Sequence, residues 1–184
     1  MAERVFNFGQ QLKMSEGVSL SFDFREVLLT EIPNATEIRR ASQADDRSGT
    51  DWWVDRSNNR PLSIDLKARE TDYEPRGEDD LALETWSVVE KGAIGWTRNP
   101  AKGSDYILWF WKDTKRWCLI PFPMLCRVFS LLWQEWAGIY RVASQMTNFN
   151  GYIYHSECVF VSREVVWDSI VRHYSPSVMT EKVT

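Results

Sequence analysis

The sequence predicts an α/β protein in which helices pack against a sheet of several strands. Short stretches in the first half alternate apolar and polar residues as strands do, and helical spacing occurs before them and near the end of the chain. A length of 184 residues with 43% hydrophobic residues fits one core. Without repeats or linkers, we expect residues 1–184 to form a single domain, irregular over 1–18 and loose over 175–184.

The first predicted element is a helix over residues 20–32. Phe24, Leu28 and Ile32 recur at helical spacing and form one apolar stripe. Pro33 disfavours helical backbone at the residue before it, so the helix is expected to end there.

Three strands with two turns between them are predicted next. The strands cover residues 36–42, 51–55 and 62–68, where β-branched, aromatic and alternating apolar residues are frequent. The turns fall at 45–49 and 57–61, which are rich in Asp, Ser, Asn, Gly and Pro. The pattern is that of a meander of three neighbouring strands.

The middle of the chain alternates loops with apolar segments. An acidic loop is expected over residues 70–80, and residues 82–90 fit either a strand or a short helix. Glycine, proline and basic residues indicate a loop over 91–104. Two strongly apolar strands, 106–111 and 117–122, follow.

The last third predicts two helices separated by a strand. An amphipathic helix spans residues 123–136, with Gly138 at the position of a C-cap. A strand covers 152–161, and a helix follows over 162–174 with Ser162 as its N-cap.

Charge and cysteine content narrow the function classes. A net charge of −4 argues against a protein that coats nucleic acid, although a bound cation can supply positive charge locally. The three cysteines are an odd number in a long chain, so no disulfide framework is expected. The N-terminus lacks the apolar region of a signal peptide, and no apolar run is long enough for a membrane span. We therefore expect a cytoplasmic protein.

One group of residues carries recognisable chemistry. Asp65 and Lys67 are two apart in a predicted strand, so their side chains share a face, while Ile64 and Leu66 face the core. Asp51 lies one hairpin upstream and should stand beside Asp65. Two carboxylates can bind Mg²⁺, with the backbone carbonyl of Leu66 as a further ligand, and the lysine can stabilise charge on a reacting phosphate.

Simpler interpretations of these residues remain open. Asp65 and Lys67 could form an ion pair on an exposed strand face, although two neighbouring aspartates repel each other without a cation between them. Asp45 and Asp46 fit turn formation better than metal binding. The cysteines and His155 match no compact zinc-site spacing, so free cysteines are expected.

The segments GTDWWV (49–54) and SIDLKAR (63–69) resemble the PD-(D/E)XK nuclease superfamily. The resemblance covers roughly residues 20–110 and includes the order helix, strand, Gly-x-Asp strand and DxK strand. Thr50 stands where the motif has proline. The resemblance implies a restriction-endonuclease-like fold with an αβββαβ core and mixed sheet, here extended by a C-terminal strand and helices.

The family's functional residues transfer to matching positions. Asp51 and Asp65 would be metal ligands, and Lys67 would be the catalytic lysine. Members of the family often add a glutamate from the first helix, for which Glu26 is the candidate and Glu31 the alternative; both also fit solvated helix charges. Glu84 could complete the site from the next element, or be a charge at a strand edge.

Basic residues around the proposed site are candidates for DNA binding. The loop over 91–116 has a surplus of positive charge and contains a tryptophan that could stack on a base. Each of these residues could instead be a solvated charge. The candidates are Arg39, Arg40, Lys91, Trp96, Arg98 and Lys102.

Together these features predict an enzyme that hydrolyses DNA phosphodiester bonds with Mg²⁺ or Mn²⁺. The small size suggests a homodimer or a protein partner that supplies specificity, and the resemblance makes a phage origin plausible. The alternative is a non-catalytic binding protein of the same fold, such as an inhibitor of a host defence complex or a subunit of DNA processing. The acidic net charge favours the alternative, and the intact Asp51, Asp65 and Lys67 set favours the nuclease.

Overall fold

A computed structural model describes residues 5–7 and 24–175 and shows a mixed α/β architecture. The described residues form two five-stranded sheets, which we call the central sheet and the second sheet. In chain order the elements are β1 (Val5–Asn7), α1 (Phe24–Glu31), β2 (Ala35–Arg40), α2 (Gln43–Arg47), β3 (Trp52–Arg56), β4 (Asn59–Arg69), β5 (Asp80–Val88), β6 (Ala93–Ile94), β7 (Tyr106–Trp111), β8 (Trp117–Pro121), α3 (Phe122–Ile139), β9 (Val142–Phe149), β10 (Tyr152–Ser162) and α4 (Arg163–Tyr174).

The central sheet has the order β2-β3-β4-β7-β8. Its first three strands form the predicted antiparallel meander, β7 runs parallel to β4, and β8 is antiparallel to β7. The parallel step requires a crossover after β4. That crossover contains β5, β6 and three 3₁₀ turns instead of the helix expected between the third and fourth strands of an αβββαβ core.

The second sheet was not predicted as a separate layer. Its order is β1-β9-β10-β5-β6, with β9 and β10 joined as a hairpin through Asn150 and Gly151, both at positive φ. No strand is predicted from the sequence of Val142–Phe149, where most side chains are half-buried or exposed in the structure. This stretch is β9, which pairs along its length with β10.

Two hydrophobic clusters lie on opposite faces of the central sheet. Along β7, Ile107 and Trp109 join the cluster shared with the second sheet, α3 and α4, while Leu108 and Phe110 join the cluster beneath α1. The ring of Phe24 on α1 meets Phe110 edge-on at 5.0 Å between centroids. Alternation along one buried strand thus supplies both cores.

Several predicted boundaries shift. The expected turn at 45–49 is largely the short helix α2, because Ser42 and Asp45 form a reciprocal capping box. Gly138 is not a C-cap: α3 continues to Ile139, since the apolar stripe extends through buried Trp136. Ser162 occupies the N-cap of α4, but its side chain makes no capping hydrogen bond.

Other predictions are confirmed or fall outside the described part. Residues 82–90 belong largely to a strand, β5, and not to a helix. The cysteines are free. The predicted irregular start is wrong over residues 5–7, which form the strand β1. The rest of that start, the first residues of the helix over 20–32 and the tail beyond residue 175 lie outside the described residues. Among the residues that the structure describes, no helix is long and apolar enough to span a membrane.

A buried ionic cluster ties the loop after β4 to the β7–β8 turn and to α4. Arg116 donates to Asp72 Oδ2 at 2.7 Å through Nε and to Asp79 Oδ1 at 2.8 Å through Nη2. Arg163 also pairs with Asp79, at 2.7 Å. The hydrogen bonds from Arg116 hold the pKa of Asp72 at about 2. Asp72 is only 5% exposed, so its charge depends on these donors.

We expect Asp72→Ala to lower the free energy of unfolding by about 3 kcal/mol, because it removes the buried carboxylate that accepts from Arg116 Nε and Thr114 Oγ1 and leaves Arg116 paired only with half-buried Asp79. Glu70→Ala is the matched control: it removes an ion pair with Lys112 whose glutamate side chain is 57% exposed, and it should cost less than about 1 kcal/mol. Urea denaturation measures both values. Equal costs would show that burial adds nothing to the Asp72 pair.

Candidate active site

The three residues of the predicted motif meet at one cavity of about 460 Å³. Asp65 and Lys67 lie on β4, and Asp51 immediately precedes β3. The backbone N–H of Asp51 donates to the Ile64 carbonyl at 2.8 Å, which fixes Asp51 beside β4. The cavity is lined by Asp46, Ser48, Gly49, Asp51, Asp65, Leu66, Lys67, Trp96, Asn99, Ala101 and Lys102.

Asp51 is aimed at β4 by a hydrogen bond. Its Oδ2 accepts from the backbone N–H of Leu66 at 2.6 Å, and its carboxyl group interacts electrostatically with that of Asp65. Burial, followed by the negative charge of Asp65, raises the pKa of Asp51 to about 6. The two carboxyl groups therefore form a close, mutually repelling pair, as a shared cation would require.

Asp65 is buried and held by two lysines. It is 4% exposed, and Lys67 Nζ donates to its Oδ1 at 2.9 Å. Its Oδ2 lies 2.8 Å from Lys67 Nζ and 2.9 Å from Lys102 Nζ, yet neither ammonium is aligned to hydrogen-bond with that oxygen. Burial opposes ionisation of Asp65, but the two ammonium groups outweigh it and hold its pKa below the usual range.

Lys102 belongs to this site, although the sequence suggested only a DNA contact from a basic loop. Its side chain is 9% exposed, and its ammonium reaches Asp65 from the loop before β7. Burial lowers the pKa of Lys102, Asp65 opposes that effect and Lys67 adds to it. The pKa of Lys67, whose side chain is 30% exposed, shifts in the opposite direction. Burial disfavours its charge, but Asp65 raises its pKa.

Trp96 forms a wall of the site. The sequence suggested that it could be an exposed platform for a base, and the structure does not show one. Its ring lies 5.1 Å from Lys67 Nζ and 6.0 Å from Lys102 Nζ, and its far side packs on Trp109. Its backbone N–H donates to Glu84 Oε2 at 2.8 Å. The neighbouring Gly95 permits this fold, because a Cβ there would collide with the backbone carbonyl of Glu84.

The proposed additional glutamates do not join the aspartate pair in this structure. Glu26 is exposed on α1, as is Glu31. The carboxylate of Glu84 accepts a hydrogen bond from the Trp96 N–H, and burial raises its pKa. Within residues 5–7 and 24–175, no group of three His, Cys, Asp or Glu side chains converges closely enough to hold one metal ion.

Arg98, a predicted DNA contact, packs between two aromatic rings. Its guanidinium is sandwiched between the rings of Trp86, at 4.8 Å, and Trp133, at 4.1 Å. Its Nη1 also donates to the carbonyl of Thr85 at 3.2 Å. The sequence could not reveal this, because both tryptophans come from other elements.

Three other predicted DNA contacts are exposed but have partners. Arg39 Nε pairs with Asp55 at 3.0 Å, Arg40 stacks on Trp52, and Lys91 lies over Tyr152. Arg40 is held near the site, because the N–H of the next residue, Ala41, donates to the Asp51 carbonyl at 3.0 Å.

The residues present fit a hard divalent cation such as Mg²⁺ or Mn²⁺. Asp51 and Asp65 supply carboxylate oxygens side by side at the cavity, where the ammonium groups of Lys67 and Lys102 lie 2.8 and 2.9 Å from Asp65 Oδ2. The side chain of Leu66 packs into the core, so its main chain borders the cavity. Mg²⁺ commonly binds through one or two carboxylates and retains several waters, so a third carboxylate is not required.

Comparison with known proteins gives no further guidance, since no family model, curated protein or solved structure matches this chain.

The raised pKa of Asp51 predicts a pH-dependent stability difference between wild type and Asp51→Asn without divalent cations. Folding raises this pKa from 3.8 to about 6, so the native state holds the proton more tightly than the unfolded chain. Wild type therefore loses stability as pH rises from about 4 to 6. Asparagine can still accept from Leu66 without carrying charge.

We expect the free energy of unfolding of Asp51→Asn relative to wild type to rise from near zero at pH 4 to about +2 kcal/mol at pH 7. Chemical denaturation in EDTA at several pH values measures this difference. Asp46→Asn, on the rim of the same cavity, is the matched control. A pH-independent difference for Asp51→Asn would mean that Asp51 is not charge-strained.

Proposed function

We propose that this protein is a metal-dependent nuclease that hydrolyses phosphodiester bonds in DNA. The observation that carries the proposal is the convergence of Asp51, Asp65 and Lys67 on one cavity. These are the positions that the resemblance to PD-(D/E)XK nucleases assigns to metal binding and catalysis. A volume of about 460 Å³ is within the usual range for small-ligand sites and accommodates a phosphate with part of its nucleotide.

Asp51 and Asp65, with the carbonyl of Leu66, would hold the cation. When bound, Mg²⁺ or Mn²⁺ lowers the pKa of a coordinated water and polarises the scissile phosphate. The hydrogen bond from Leu66 N–H fixes one oxygen of Asp51, so its carboxylate is oriented before any ligand arrives. Such preorganisation avoids reorganisation at the moment of reaction.

Lys67 supplies positive charge to the reacting phosphate. Its ammonium is restrained by Asp65 and by the face of Trp96, and part of the side chain remains open to the cavity. An ammonium fixed there stabilises negative charge that builds on the phosphate in the transition state. Asp65 would therefore both hold the cation and position the lysine.

A non-catalytic binding protein is the second candidate. It is favoured by the two ammonium groups on Asp65, which neutralise that carboxylate without a cation. It does not account for Asp51, whose carboxyl group lies next to Asp65 with no ammonium paired to it among the described ion pairs. Incubation with plasmid and linear DNA, in Mg²⁺, in Mn²⁺ and in EDTA, separates the two functions.

We expect Lys67→Ala to reduce DNA cleavage by about 10²–10³-fold, because it removes charge stabilisation made mainly in the transition state. Lys102 still pairs with Asp65 in this variant, so the fold should persist. The measurement is cleavage rate at saturating Mg²⁺ together with a thermal melt.

Lys112→Ala serves as the control, because this lysine pairs with exposed Glu70 away from the cavity. It should cleave as wild type does. Equal cleavage by wild type and Lys67→Ala would place the active site elsewhere, and absence of cleavage by wild type with either cation would favour the binding protein.

A further inference from the structure

Lys102 takes no part in the proposed catalysis, yet hydrogen bonds between two loops hold it in place. Gly103 N–H donates to the Ser48 carbonyl at 3.4 Å, and Ser104 Oγ donates to the Gly49 carbonyl at 2.5 Å. The loop before β7 is thereby bound to the segment between α2 and β3. This contact sets the lysine against the aspartate pair.

Gly49 makes room for the lysine side chain. A Cβ at this position would overlap Lys102 Nζ and crowd its Cε. Gly49 also has φ +92°, which side-chain-bearing residues rarely adopt. Packing on the glycine and on the face of Trp96 confines the buried ammonium beside Asp65.

Asp65 is consequently paired with two ammonium groups, which also interact with neighbouring Asp51. One ammonium suffices to neutralise a carboxylate, and Lys67 Nζ already donates to Asp65 Oδ1 at 2.9 Å and lies 2.8 Å from Oδ2. Lys102 adds a second ammonium at Oδ2, in a site where charge interactions are weakly screened. A divalent cation held by Asp65 and Asp51 would meet that ammonium at the same oxygen, and the two would repel each other.

We propose that Lys102 is an internal counter-ion that occupies the metal-binding face of Asp65 and competes with the divalent cation. A cation held by Asp51 and Asp65 would have to displace this ammonium from Oδ2. Lys102 is then a positioning residue that sets the cation concentration at which the site fills. This inference rests on the proposed function only in requiring a divalent cation at Asp51 and Asp65.

The test measures binding of Mn²⁺ alone to metal-free protein. The two readouts are the shift in melting temperature and isothermal titration calorimetry. Lys102→Met keeps the length and apolar stem of the side chain and removes its charge. We expect the Mn²⁺ concentration at half-saturation to fall about ten-fold or more, because an adjacent like charge is lost. Lys102→Arg retains the charge and should stay near wild type.

Lys112→Met is the matched control for loss of a lysine outside the site, and it should bind Mn²⁺ as wild type does. Lys102→Gln provides a second neutral variant if Lys102→Met melts far below wild type before metal is added. Tighter binding in a neutral Lys102 variant, including binding where wild type shows none, supports the competition. Unchanged affinity in a folded neutral variant overturns it and leaves the nuclease proposal standing, whereas absence of Mn²⁺ binding in every variant overturns both.

Discussion

The burial of Asp65 on the middle strand of the central sheet is the constraint from which the site follows. β4 is paired on both sides, so its residues have no free edge and alternate strictly between two cores. Asp65 falls on the face toward the second sheet, where it is 4% exposed. A carboxylate in that position must be ionised with partners or neutral, and the chain supplies two lysines to keep it ionised.

The surroundings of the site are arranged to meet that requirement. Trp96 closes one side by packing against the core while presenting its face to both ammonium groups. Its position depends on Gly95, where the backbone passes against Glu84, and on the Glu84 carboxylate that accepts the Trp96 N–H. Several of the chain's ten tryptophans thus serve as rigid walls and cation partners. An aromatic-rich sequence in this case does not imply an exposed stacking surface.

The negative charge of Asp51 is not compensated in the way that the charge of Asp65 is. The same buried environment that two lysines offset at Asp65 is only partly offset at Asp51, by one backbone N–H and by the more distant charge of Lys67. The result is one well-paired carboxylate beside one strained carboxylate. Strain of this kind lowers stability unless a ligand relieves it, which is why perturbed pairs in cavities often mark functional sites.

The sequence by itself determined the local elements and the nucleus of the site. Period-two alternation placed Asp65 and Lys67 on one face of a strand, and a single hairpin brought Asp51 beside them, because both relations depend only on neighbouring residues. The helix before the meander and the apolar β7 and β8 could be predicted for the same reason.

Only the tertiary structure decided which distant residues complete the site. Lys102 reaches Asp65 because its loop binds the Ser48–Gly49 segment, and Arg98 is enclosed by Trp86 and Trp133 from separate elements. The second sheet likewise depends on pairing of β5 with β10, which are far apart in the chain. Such contacts carry no periodic signal, since they are fixed by packing and hydrogen bonds between segments whose sequences give no indication of one another.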